Sequence, residues 1–198
     1  MKRLAIVTGI LALAAPVALA QYSTWTSDPA HSEVDFTIRH GGVSNVHGRI
    51  GGVAATLVYN EADVTKSTVT ATIDISTVDT GVAPRDSDLK SDSFFDVANF
   101  PTATFTSTNV ARNGNNKLTV AGNFTVHGVT KPVVLDVEGP STPIENGMDH
   151  KLHSGFSATT TLSRTAYGIG TKFPSSLVGD DVKLIIELEI VKQESVKQ

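Results

Sequence analysis

No cysteine occurs in the 198-residue chain. That absence excludes a disulfide framework, a thiolate zinc site and a cysteine nucleophile. Basic residues are outnumbered, 16 against 20 acidic, for a net charge of −4. No basic stripe tracks along the sequence, so a nucleic acid is not an expected partner. There is no G-x-S-x-G nucleophile elbow, and no S-x-x-K is expected in a helical setting. After residue 20 no apolar stretch approaches the ~20 residues that a bilayer-spanning helix needs.

The one long apolar run is at the start. Lys2 and Arg3 precede Leu4 to Leu19, and Ala18-Leu19-Ala20 supplies small residues before Gln21. This is the pattern of a cleaved secretory signal peptide over residues 1–20. The remaining domain, 21–198, then carries 14 basic and 20 acidic residues, net −6, and is expected to be exported. Without disulfides it must be held by burial alone, which ~180 residues can supply.

Most of that domain alternates with a period of two. Val34, Phe36 and Ile38 share one face, as do Val69, Ala71, Ile73 and Ile75, and later Val182, Leu184, Ile186, Leu188 and Ile190. Such alternation predicts half-buried strands. Asn113-Gly114-Asn115-Asn116 and His127-Gly128 mark hairpins. Gly48, Gly51 and Gly52 within a strand context predict bends or bulges. About eight strands with short links predict an all-β fold, an eight-stranded up-and-down antiparallel β-barrel with a short helical cap. Such a barrel is just wide enough to be filled by side chains or to hold one small ligand. Inward Ala71, Ala103, Gly122, Ser154 and Ala158 would leave room.

Arg85–Phe105 interrupts the alternation. Asp86, Ser91 and Asp92 are N-cap types, and Pro101 ends any helix by Phe100. Helix is expected over 86–99, with a further turn near 175–177. Arg85 is expected to pair with Asp79 or with one of the cap aspartates. Phe94, Phe95 and Phe100 need an apolar cover, which predicts a lid over one barrel end. The six histidines show no metal-ligand spacing with a third partner close by, so no metal and no cofactor is expected. His31, His40, His47 and His127 read as turn residues hydrogen-bonded to backbone.

Taken in order, the motifs resemble the YceI-like family, lipid- or polyisoprenoid-binding, lipocalin-like proteins of bacterial periplasms. The resemblance covers residues 25–191. It runs through His31-Ser32, Val34-x-Phe36-x-Ile38-x-His40, Val46-x-Gly48, and Ile75-Ser76-Thr77-Val78-Asp79-Thr80 before Arg85-Asp86. It continues in Leu89-Lys90-Ser91, Phe94-Phe95-Asp96, Phe100-Pro101-x-x-x-Phe105-x-Ser107 and His127-Gly128-Val129-Thr130-Lys131-Pro132-Val133. Ser163-Arg164, Tyr167-Gly168-Ile169 and Gly179-Asp180-x-Val182 complete it. Two positions depart from the family pattern: Asp88 stands where a histidine is frequent, and Ser93 where an aspartate is.

The resemblance implies a non-enzymatic carrier of a polyisoprenoid or similar lipid. The residues expected to touch that ligand are Phe36, Ile38, Ile73, Phe94, Phe95, Phe105, Phe124, Phe156 and Leu184. Expected partners are an isoprenoid lipid of quinone or prenyl type, a membrane touched transiently during lipid exchange, and a second copy of the chain. Two alternatives make different demands. A hydrolase acting on a lipid or amide would need polar groups converging in the cavity, for example His40, His127 or Asp86. A ligand-free stress or interaction protein would need a fully packed interior.

Overall fold

The computed structural model describes residues 22–194. The expected signal peptide, its cleavage point before Gln21, and residues 195–198 lie outside the described residues. The strands are β1 (Tyr22–Ser27), β2 (Glu33–His40), β3 (Ser44–Ile50), β4 (Val53–Asn60), β5 (Thr68–Asp74), β6 (Thr102–Arg112), β7 (Lys117–Val126), β8 (Val129–Glu138), β9 (Ile144–Glu145), β10 (Leu152–Ser163) and β11 (Val178–Lys192); the one α-helix among the described residues is α1 (Ala83–Lys90).

All strand pairings are antiparallel, and they close on themselves. The order runs β3-β2-β11-β1-β4-β5-β6-β7-β8-β10-β9, with β10 also paired to β11. The result is the expected eight-stranded barrel, because two pairs of strands each act as one wall. β11 pairs through Ile190–Lys192 with β1, and through Val182–Glu187 with β2, on the same edge. Between them Asp28–Ser32 bulges outward, since Pro29 has no N–H to give the ladder. Likewise β3 pairs with β2 and β4 with β1, and Gly51-Gly52 forms the joint, with Gly52 at φ +63. The expectation of a bend thus holds at Gly51-Gly52. Gly48 is different: it sits within β3, directly opposite Phe36.

Hairpin chemistry sets the other corners. His127 and Gly128 take φ of 52° and 73°, the two positive-φ positions of a two-residue hairpin between β7 and β8. Asn116 (φ 55°) and Gly114 (φ 108°) serve the β6–β7 turn in the same way. At the far end, three residues, Val64–Lys66, form a 3-10 turn capped by Asp63, and Val64 plugs the floor.

The helix differs from expectation. It begins at Ala83 rather than Asp86, because Pro84 can occupy a first turn whose N–H groups are unpaired in any case. Asp86 lies inside that first turn, and Ser91 is the C-terminal cap, with its N–H and Oγ–H both donated to the Asp88 carbonyl. The chain from 92 to 99 continues as hydrogen-bonded turns, with Phe95 N–H reaching back to the Leu89 carbonyl. Near 175–177 there is one turn, closed by Leu177 and Val178 N–H on the Pro174 carbonyl. Ser87 and Lys90 do have S-x-x-K spacing on α1, contrary to expectation, but both are solvent-exposed.

Candidate functional site: the barrel cavity

Inward alternation from every wall surrounds a cavity of about 580 Å³. Close-packed interiors leave few voids larger than one water, so this space is a built feature rather than imperfect packing. Buried residues around it fall into two groups. Phe36, Ile50, Ile75, Val78, Ala103, Val126, Tyr167 and Ile169 gather at the cap end. Val64, Phe105, Val110, Leu118, Val120, Val137 and Ala158 gather at the floor. Phe124 packs against both groups, midway along the cavity.

The structure places all nine sequence-derived candidates, Phe36, Ile38, Ile73, Phe94, Phe95, Phe105, Phe124, Phe156 and Leu184, on the lining. Two strand-borne rings occupy the space of a missing side chain, Phe36 across from Gly48 and Phe105 diagonal to Gly122, whose own partner is Ser107. A Cβ on Gly48 would meet Phe36 Cζ at 2.3 Å, and one on Gly122 would meet Phe105 Cζ at 2.4 Å. Gly122 therefore makes room for a ring, not for a ligand. Ser154 also leaves no room, since its hydroxyl turns to the Ser141 carbonyl at 2.8 Å. Ala71, Ala103 and Ala158 do line the space.

The lid has two halves, of which sequence reasoning found one. Leu89, Phe94, Phe95 and Val97 come from the α1 segment. Tyr167, Ile169, Phe173 and Leu177 come from the 164–177 loop. Phe94 stacks on Phe173 with ring centroids 5.0 Å apart and planes 12° from parallel. Phe100 lies elsewhere, edge-on to His127 at 5.0 Å and over Gly128. The signal for the second half was Tyr167-Gly168-Ile169-Gly170, an aromatic and aliphatic pair in an irregular stretch.

Arg164 organises that loop. It is 4% exposed, and its five N–H groups donate to the carbonyls of Gly179, Ile169, Gly170, Phe173 and Val178 at 2.6–2.9 Å. Every donor is satisfied by backbone, so this buried cation is a staple and not a ligand contact. Asp180 closes the loop from outside; hydrogen bonds from the Thr165 and Ser163 hydroxyls hold its carboxyl below the usual aspartate range.

Charged lining is concentrated at the rim, while Ser67, Thr68 and Thr160 are uncharged polar lining elsewhere. Arg39, His40, Arg85 and Asp88 border the cap end. Among the described residues Arg85 makes no ion pair with a carboxylate: its Nε donates to Thr80 Oγ1 (2.7 Å) and its Nη2 to the Thr80 carbonyl (2.9 Å). Asp79 pairs with Arg49 instead, at 3.5 Å. Asp86 accepts from the Thr80 hydroxyl and N–H, which lowers its pKa, and it faces away from the lining. His127 points its Nδ1 at the Tyr167 carbonyl, 3.1 Å away, and is likewise not part of the lining. Of the three groups a hydrolase would need, His40 alone reaches the cavity. Inside, burial raises the pKa of Tyr167, so its hydroxyl is protonated at neutral pH.

The histidine expectation holds for His127 only. His47 hydrogen-bonds the Thr37 hydroxyl, while His31 and His153 face carboxylates on the outer surface.

The molecule is similar to several known proteins. The model of the YceI-like domain matches residues 25–190. A UPF0312 protein of Vibrio cholerae is 32% identical over 191 residues, covering 94% of this chain and 98% of that protein. A UPF0312 protein of Pectobacterium atrosepticum is 36% identical over 196 residues, with 97% and 98% covered. Among solved structures, BcnA of Burkholderia cenocepacia superposes with a TM-score of 0.72 at 25% identity, over 82% of this chain and 98% of that one. The Campylobacter jejuni YceI protein gives 0.70 at 31% identity, over 79% and 91%. A polyisoprenoid-binding domain from Saccharophagus degradans gives 0.61 at 16% identity, over 87% and 100%, a likeness of fold alone. By its sequence match over nearly the whole barrel and by the barrel itself, the chain belongs to the YceI-like family.

Proposed function

We propose that this protein binds a polyisoprenoid or comparable long-chain lipid in the barrel cavity and carries it in the periplasm, without catalysis. The observation that carries the reading is the 580 Å³ cavity walled by aliphatic and aromatic side chains. A hydrocarbon chain entering it loses contact with water at roughly 0.8 kcal/mol per CH₂. For a chain of ~40 carbons, a large-ligand efficiency of about 0.3 kcal/mol per atom sets a ceiling near 12 kcal/mol. That corresponds to about nanomolar affinity, enough to survive purification. Several observations agree. Charge on the lining is confined to the cap end, where Arg39, Arg85 and Asp88 stand and the buried Arg164 is already satisfied by backbone. The head of an amphipathic lipid would therefore sit there while its tail runs toward Phe156 and Val64. A structural neighbour is described as a polyisoprenoid-binding domain. A fully packed interior, which a ligand-free interaction protein requires, is at odds with the cavity. The hydrolase alternative lacks the convergence of His40, His127 and Asp86 that it needs.

The test is mass spectrometry of an organic extract from the natively exported protein. A stoichiometric isoprenoid lipid is expected. An extract with no lipid above background, together with no binding of added prenyl lipids, would overturn the reading.

A further inference from the structure

Outside the barrel, on the face where β1 gives way to β2, two side chains of one turn meet a third from far along the sequence. The Asp28–Ser32 bulge closes on itself through His31 N–H to the Asp28 carbonyl (3.2 Å), which brings the two side chains of this turn together. Beside them stands Glu189 of β11, whose carbonyl accepts the Asp28 N–H at 2.8 Å. His31 Nδ1 lies 3.1 Å from Asp28 Oδ2 and 3.5 Å from Glu189 Oε2, and each residue offers a ligand atom within 4.8 Å of those of the other two.

We propose that Asp28, His31 and Glu189 form a binding site for a divalent transition metal of the zinc class, which clips the β1–β2 bulge to β11. Zinc bound at 2.0–2.1 Å in a tetrahedron separates its ligand atoms by about 3.3–3.4 Å. Both measured spacings to His31 bracket that value, and the two carboxylates, within 4.8 Å of each other, would close the set by side-chain rotation. The donor set, one imidazole and two carboxylates, suits zinc, copper or nickel better than calcium or magnesium, which favour all-oxygen shells. A fourth position faces solvent and is free for water.

The second layer is also built. Metal-bound carboxylates are ordinarily held by further hydrogen bonds. Here the other oxygen of Asp28, Oδ1, accepts the Ala30 N–H at 2.9 Å. The other oxygen of Glu189, Oε1, lies 2.6 Å from Nδ1 of His153, and the Nε2 of His153 is 3.1 Å from Asp149. His153 is 6% exposed, so this support is fixed by packing. In each carboxylate one oxygen is thus tied back and the other is turned to His31. The arrangement is independent of the cavity and of the lipid.

The experiment uses untagged exported protein stripped with chelator, titrated with Zn²⁺ by calorimetry and with Co²⁺ by visible absorption. One equivalent is expected to bind, with a tetrahedral cobalt spectrum and a melting temperature that rises with free Zn²⁺. Substituting an exposed ligand, His31→Ala, should abolish the cobalt spectrum and weaken zinc at least about 100-fold while the apo melting temperature stays near wild type. Removing the supporting histidine, His153→Gln, should weaken zinc by about 10–100-fold. His150→Ala, a surface histidine near Glu145, should change nothing. No stoichiometric binding, or binding that survives His31→Ala, overturns the site; in that case Asp28, His31 and Glu189 are only a hydrogen-bonded network.

Discussion

Phe36 lies across Gly48 of the adjacent strand, so closely that the first carbon of any side chain at 48 would sit 2.3 Å from the ring edge. The pair is directly in register between β2 and β3, and Phe36 is also a cavity wall. Gly48 is not needed for its backbone angle, which any residue could adopt. It is needed because the ring fills the volume of its missing side chain.

Gly48→Ala should therefore swing Phe36 into the cavity or strain its rotamer. A loss of about 1–3 kcal/mol is expected, as for other overpacked cores. Adding Phe36→Leu to the same chain should return part of it. The readout is the denaturant midpoint of the single and double variants. Additive effects would mean that the ring and the glycine are not coupled.

Phe94 and Phe95 both line the cavity, yet only Phe94 has an aromatic partner across the lid. Truncating either to alanine should cost ~3–5 kcal/mol if the site cannot collapse. Lipid affinity, measured well below unfolding conditions, should fall further than the apo stability change explains for at least one of them. Wild-type affinity in both folded variants would make the lid a structural closure only.

Arg164→Met should be among the most disruptive single changes, since it removes five donors from buried and half-buried carbonyls, of which Gly170 keeps the Phe173 N–H. Each unsatisfied group costs ~1–3 kcal/mol. Amide exchange is expected to accelerate first over 164–179, where the backbone is held by the guanidinium. Uniform loss of protection across the barrel would contradict a local staple.

Acid should loosen the same loop. The Thr165 and Ser163 hydroxyls lower the folded pKa of Asp180, so its stabilisation is present above the unfolded aspartate value of ~3.9 and is lost as pH falls through the folded value. Asp180→Asn should be less stable than wild type at neutral pH, with the gap narrowing below that window. A gap that stays constant down to the lowest pH at which both variants fold would refute the linkage.

Export is a separate prediction. Intact mass of protein recovered from the periplasm should correspond to a chain beginning at Gln21. A retained Met1–Ala20 segment would indicate an anchored form.

Much of the fold was legible in the chain because strand alternation is a local property. Val34-Phe36-Ile38 on β2 and Val182 to Ile190 on β11 announce their faces without reference to any partner. The lining candidates followed from the same parity, together with the apolar residues of the cap. The start of α1 was misplaced by three residues because aspartates were weighted as caps, whereas Pro84 and the packing of Leu89 set the boundary. Leu152 had the inward parity of Phe156 but stands exposed at the strand's end, past the barrel wall.

What the sequence determined by itself is the alternation, the turns and the apolar lid, since each depends on neighbours a few residues apart. The tertiary structure alone decided that β1 and β2 share one edge of β11, that Gly48 belongs to Phe36, that Arg164 faces five carbonyls, and that His31 meets Glu189. Those relationships depend on register between strands up to 158 positions apart. Register is set only when both faces of the closed sheet have found their partners, and a one-residue slip would turn Phe36 and Glu189 to the opposite face.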